Sequence, residues 1–107
     1  MKPKCRVYPT FELLGKKWTL HIIKELSWHG KKRYSELKRT LEGVSPKTLT
    51  ERLRELERED VIVRIAYPEV PPRVEYDLTA KGQDLSKSID SICDWARKWY
   101  PDEVHKA

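Results

Sequence analysis

The chain is poor in the residues that build stapled, metal-bound or membrane-inserted proteins. It has two cysteines, three histidines, four glycines, one methionine and one phenylalanine among 107 residues. Two cysteines, Cys5 and Cys93, cannot make the disulfide framework of a small secreted domain, and in a reducing compartment both stay thiols. The opening stretch MKPKCRVYPT lacks the apolar segment of a signal peptide, and no run is long enough to cross a bilayer. These absences predict a cytoplasmic protein with no membrane partner. His21, His29 and His105 are scattered, with no ligand spacing among themselves or with the cysteines, so no metal is expected. The glycines stand singly, which excludes a glycine-rich phosphate loop. No catalytic constellation, cofactor motif or small-molecule effector is named by any pattern, and an enzyme is not expected.

What the chain does have is charge. Lys and Arg number 22 against 17 Asp and Glu, for a net charge of +5, which favours an anionic partner. The excess is uneven. Residues 31–47 (KKRYSELKRTLEGVSPK) hold six Lys or Arg and two Glu, whereas residues 51–60 (ERLRELERED) hold three Arg and five acids. The length suits a single domain over residues 1–107.

Periodicity and capping residues predict the order of elements. A short helix is expected from Thr10 to Leu14, stopped by Gly15, and a second from about Lys17 to Trp28, with Trp18, Ile22, Ile23 and Leu26 on its apolar face and Gly30 at its end. A third starts at Ser35, turns Leu37 and Leu41 inward and stops at Gly43. The fourth, over residues 45–59, has the clearest start: Ser45 as N-cap and Pro46 at the first helical position. Leu49, Leu53 and Leu56 then mark one buried stripe. VIVRIAY and RVEYDL predict an antiparallel hairpin joined by a stiff loop holding Pro68, Pro71 and Pro72. Thr79 opens a last helix that runs to about Tyr100. The fold class is mainly α with a small antiparallel β-hairpin wing: a winged helix-turn-helix.

Cys5, GKKWTLHIIKEL (15–26), KRYSELKRTLEGVSPKTLTERLRELERED (32–60) and YPEVPPRVEYDLTAKG (67–82) together resemble the HxlR-type transcriptional regulators, relatives of the MarR group. The resemblance covers about nine-tenths of the chain. Arg6 is a departure, because many members carry proline after the cysteine. The resemblance implies a homodimer that binds double-stranded DNA with two recognition helices and two wings, and in some members an N-terminal cysteine that senses oxidants or electrophiles.

With the leucine stripe inward, Lys47, Glu51, Arg54 and Arg58 point outward, flanked by Thr48 and Thr50. Lys47 and Thr50 are the expected base contacts, with Thr48 a further one. Arg54 suits phosphate, and the helix start at Ser45 and Pro46 offers free N–H groups to another. The bland alternative is a solvated helix face held by ion pairs. Arg73 is expected to carry the wing (67–74) to the backbone or the adjacent minor groove; its alternative is a pair with Glu75 or Glu69. Lys31, Lys32 and Arg33, with Lys38 and Arg39, are expected to supply sequence-independent phosphate contacts; their alternative is a solvated charged face.

Leu85, Ile89, Ile92, Ala96 and Trp99 recur at heptad-like spacing, which predicts a two-fold dimer seam with Tyr8, Phe11 and Leu14 packing on the partner. The operator would then be a near-palindrome with half-sites about one helical turn apart. Cys5, among Lys2, Lys4 and Arg6, is the redox candidate, since neighbouring cations favour the thiolate; Cys93 and His21 are expected to be packing residues. The competing function is a winged helix that binds protein within a transcription or repair assembly. It would need less cation and more exposed apolar surface.

Overall fold

The computed structural model describes residues 6–104; Cys5, the redox candidate, lies outside them. The order is α1 (Val7–Leu14), α2 (Thr19–His29), β1 (Lys32–Arg33), α3 (Tyr34–Thr40), α4 (Pro46–Arg58), β2 (Ile62–Tyr67), β3 (Arg73–Leu78), α5 (Ala80–Trp99) and α6 (Pro101–Val104). The sheet has three strands in the order β1-β3-β2, all antiparallel. The winged helix-turn-helix is therefore present, with a third strand beyond the expected hairpin.

Locally specified elements fall where expected. Ser45 caps α4 by accepting a hydrogen bond from the Thr48 N–H at 3.1 Å, and Leu49, Leu53 and Leu56 are all but fully buried. Thr79 caps α5 by accepting from the Gly82 N–H at 3.0 Å, while its hydroxyl donates to the Asp60 carbonyl at 2.6 Å. The cap thus ties the start of α5 to the start of the hairpin.

Three helix starts differ from expectation, that of α3 by one residue, at Tyr34 rather than Ser35. Helix α1 begins at Val7 rather than Thr10, because Pro9 falls in the first turn, where no N–H is needed. Thr10 lies inside it and bonds back to the Arg6 carbonyl at 2.6 Å. Helix α2 begins at Thr19 rather than Lys17, because Trp18 adopts a left-handed φ of 81° that a helix cannot pass through.

The core gathers Ile22, Ile23 and Leu26 of α2, Leu37 of α3, the α4 leucines, Ile62, Tyr76 and Leu78 of the sheet, and Ile89 of α5. None of the four tryptophans belongs to it. Trp18 packs on its edge, while Trp28, Trp95 and Trp99 are exposed. His21 is also exposed rather than packed inside, and leans on Trp18 with ring centroids 5.3 Å apart. Cys93 is half-buried against the core, as expected. Trp28, Cys93, Leu41 and Ile92 line an apolar groove of about 420 Å³ between α2 and α5.

The expected dimer seam divides in two. Ile89 is buried in its own domain, and Leu14 and Leu85, each partly exposed, pack against the same core. The reason is that the first half of α5 lies on α2 and the sheet: Ser86 bonds to Ser27 at 2.8 Å, and Asp90 ion-pairs with Lys24. Beyond Asp90 that support thins, with Cys93 still packed against the core. Ile92, Trp95 and Trp99 are more than half exposed, as are Tyr8 and Phe11 of α1; Ala96 is half-buried.

Helix α4 is tied to the α1–α2 loop by charge. Glu55 accepts from Lys16 Nζ at 2.6 Å and from Arg52 Nη1 at 3.2 Å, and Arg52 Nε donates to the Lys17 carbonyl at 2.9 Å. Burial pushes the Glu55 carboxyl up, but the Lys16 hydrogen bond and the Arg52 and Lys16 charges outweigh it and hold the group below its ordinary value. A depressed carboxylate stabilises the fold fully above the unfolded-state value and progressively less as pH falls through the folded one. The stability gap between the parent and Glu55→Gln, measured by urea denaturation, is expected to be present at pH 7 and to close below about pH 4.

Candidate nucleic-acid interface

The geometry starts from α4. Its buried leucines fix its rotation, so Lys47, Glu51 and Arg54 are exposed and Thr50 is half-buried. Ser45 and Pro46 are exposed at its start. Tyr34 Oη donates to the Pro46 carbonyl at 3.2 Å, which pins α3 to that start. Thr48 is half-buried and occupied: its hydroxyl accepts from Ser45 Oγ at 2.9 Å while its N–H completes the cap. Among the expected base contacts, Lys47 is thus the freest and Thr48 the most committed to structure.

The sheet register sorts the other cations. Directly opposed residues on neighbouring strands share a face, and successive residues alternate. Lys32 faces Tyr76 and Tyr76 faces Arg64, so these three form one row. Tyr76 and Leu78 are buried on this face, which places the row on the side packed against the helices. Arg33 faces Glu75 and belongs to the opposite side. Lys32 and Arg33, expected to act together as phosphate contacts, are therefore separated by the sheet. The cause is β1, too short at two residues to leave a periodic signal. Glu36 accepts from the Arg33 N–H at 2.9 Å; that backbone bond, helped by Lys32 and the two arginines Arg33 and Arg39, holds its carboxyl below the ordinary value.

The proline loop joins β2 to β3 where the sequence places it, and its Val70–Pro71 peptide is cis. Arg73 is not the free tip cation expected. Its guanidinium lies over the Tyr67 ring, 4.1 Å from the centroid, and Nε sits 3.0 Å from Glu69 Oε2 without hydrogen-bond alignment. The alternative pairing with Glu69 is thus the one formed, because the loop folds the acid back over the strand end and Tyr67, directly opposite, gives the cation a platform.

Sequence reasoning missed Arg64. It lies on β2, is exposed, and shares a concavity of about 410 Å³ with Tyr34, Thr50, Arg54, Glu57 and Tyr76. Strand alternation could have placed Arg64 on the side of Ile62, but not opposite Arg54, which only the packing of α4 on the sheet achieves.

No helix among the described residues is long and apolar enough to cross a membrane. No group of three or more His, Cys, Asp or Glu there is placed to hold a metal.

Known proteins share this arrangement. The HTH-type transcriptional regulator YtcD of Bacillus subtilis (strain 168), itself uncharacterized, is 48% identical over 94 residues, covering 88% of this chain and 74% of YtcD. A crystal structure of a regulator named ytcD superposes with a TM-score of 0.82 at 44% identity, covering 89% of this chain and 96% of that one. The redox regulator HypR in its reduced form superposes with a TM-score of 0.80 at 31% identity, covering 96% of this chain and 100% of HypR. A family model for HxlR-like helix-turn-helix proteins matches residues 13–104. With the capped α4, the winged sheet and these likenesses in agreement, the chain belongs to the HxlR-like helix-turn-helix family, whose members are DNA-binding transcriptional regulators and not enzymes.

Proposed function

We propose that the protein is a dimeric, sequence-specific repressor that sets α4 of each protomer in the major groove of a near-palindromic operator and lays each wing on the adjacent minor groove or backbone. The observation that carries this reading is the two-sided character of α4. One side is the buried leucine stripe, and the other presents Lys47, Glu51 and Arg54 to solvent from a pinned, capped start. Lys47, near the helix N-terminus, reads a base edge, and Thr50 adds a hydroxyl and a methyl to the same edge. Ser45 and Pro46 hold the helix start against phosphate, and Lys32 reaches the backbone from β1. Arg73, held by Tyr67 and Glu69, is pre-positioned to exchange its carboxylate for a phosphate oxygen. The exposed half of α5 supports dimerisation, and occupancy of a promoter by such a dimer represses by excluding polymerase.

Lys47→Ala is expected to cost about 1–3 kcal/mol on a footprinted operator and to relax preference at one base position per half-site. Anisotropy titrations against a panel of single-base operator variants check this. Binding that is insensitive to salt, or absent at low salt, would instead favour a winged helix that binds protein.

A redox-responsive form of the same function is favoured by the likeness to HypR and by the cations around Cys5 in the sequence. Cys5→Ser is expected to keep operator affinity and lose its change on mild peroxide treatment. A serine variant that responds like the parent removes Cys5 from the mechanism.

A further inference from the structure

The concavity between α4 and the sheet holds two arginines that the rest of the fold leaves free. Among the described residues neither Arg54 nor Arg64 forms an ion pair, whereas Arg52, Arg73 and Arg97 are each paired with a carboxylate. Both line the same hollow of about 410 Å³, one from the recognition helix and one from the wing strand. Arg64 is held there by its register opposite Tyr76, which is buried. Arg54 is held by the rotation that buries Leu53 beside it. Glu57 shares the lining, but one carboxylate leaves a net positive charge beside two guanidiniums. Two arginines lining one solvent-open hollow suit an anion with several acceptor oxygens, and phosphate is a group that guanidinium forks bind well.

We propose that Arg54 and Arg64 close as two jaws on a single backbone phosphate of the DNA, at the seam where helix and wing meet. The inference rests on the DNA-binding reading above and deepens it. The clamp couples α4 to the wing, so the angle at which the helix enters the groove is set by a contact that carries no sequence information. It also gives the wing a phosphate contact at its base, independent of Arg73 at its end.

The test uses the full chain, its footprinted operator and a scrambled duplex of equal length, titrated by fluorescence anisotropy at several salt concentrations. Arg64→Gln is expected to weaken both duplexes alike, on the order of tenfold, while the slope of log affinity against log salt changes little, because Arg54 still neutralises the shared phosphate. Arg64→Lys is expected to keep the slope while losing part of the affinity, since charge remains but the fork does not. Arg54→Gln together with Arg64→Gln is expected to weaken binding by less than the product of the single effects, because both jaws hold one phosphate, and to make the salt slope shallower by about 0.9 per half-site. Circular dichroism confirms that each variant folds. An unchanged slope in the folded double variant, or a slope shallower by about 0.9 per half-site already in Arg64→Gln, overturns the clamp while leaving the DNA reading intact, and effects that multiply show that the arginines hold separate phosphates. A parent chain that binds neither duplex at low salt overturns the DNA reading itself.

Discussion

Replacing Ile92, Trp95 and Trp99 together by glutamate is expected to convert the protein to a monomer and to weaken operator binding on the order of 10²–10⁴-fold, with the fold intact. All three side chains are more than half exposed within the protomer, so they add little to its own stability. Burial against a second copy would gain roughly 1.5–3 kcal/mol for each large apolar side chain that is fully covered. In a two-fold interface every such position counts twice. Charges there cannot be buried unpaired, so association fails. The loss on the operator follows because two linked half-site readers bind with an effective concentration that single ones lack. Light scattering measures the mass, circular dichroism the fold, and anisotropy the affinity. A variant that remains a dimer moves the interface elsewhere, and a parent that is monomeric with operator present ends the dimer proposal.

Gly82→Ala is expected to destabilise the protein by about 3 kcal/mol or more, against the direction that helix propensity gives. Alanine in a helix is favoured over glycine by about 0.8–1 kcal/mol, and Gly82 lies in the first turn of α5. A Cβ at this position would lie 2.1 Å from the Val61 carbonyl oxygen and 3.1 Å from Leu78 Cδ2. A backbone oxygen cannot swing aside as a side-chain end can. The start of α5 must therefore lift from the hairpin, straining the Thr79 bridge to the Asp60 carbonyl at 2.6 Å and opening the core near Leu78. For a domain of this size the midpoint of thermal unfolding should fall by roughly 12–25 °C. Gly43→Ala is the comparison: its φ of 93° disfavours a side chain, but no atom stands within 4 Å of the added Cβ. That change should cost only about 1–2 kcal/mol of backbone strain. Equal melting temperatures for the two variants would show that the approach at Val61 relaxes cheaply.

Both results turn on features that the sequence carried unequally. Helix α4 was legible because everything that defines it lies within a few residues: the Ser45 cap, Pro46, and the leucines on one face. The same holds for Thr79, Gly30 and the two long strands with their proline loop. Signals of this kind act through backbone geometry and hydrogen bonds between near neighbours, so they survive without knowledge of the fold. The heptad-like run in α5 was also visible, but period alone does not say what an apolar face meets. Ile89 and Leu85 meet their own domain, while Ile92, Trp95 and Trp99 meet solvent.

By itself the sequence determined the class of fold, the capped helix α4 and its outward face, and the excess of positive charge that suits DNA. Tertiary structure alone decided which cations lie together. The pairing of β1 with β3 parts Lys32 from Arg33, the wing loop returns Glu69 to Arg73, and the packing of α4 on the sheet brings Arg54 to Arg64. The physical reason is that a side chain's partner across a sheet or a helix contact is set by chain segments distant in sequence, and no local propensity encodes that distance.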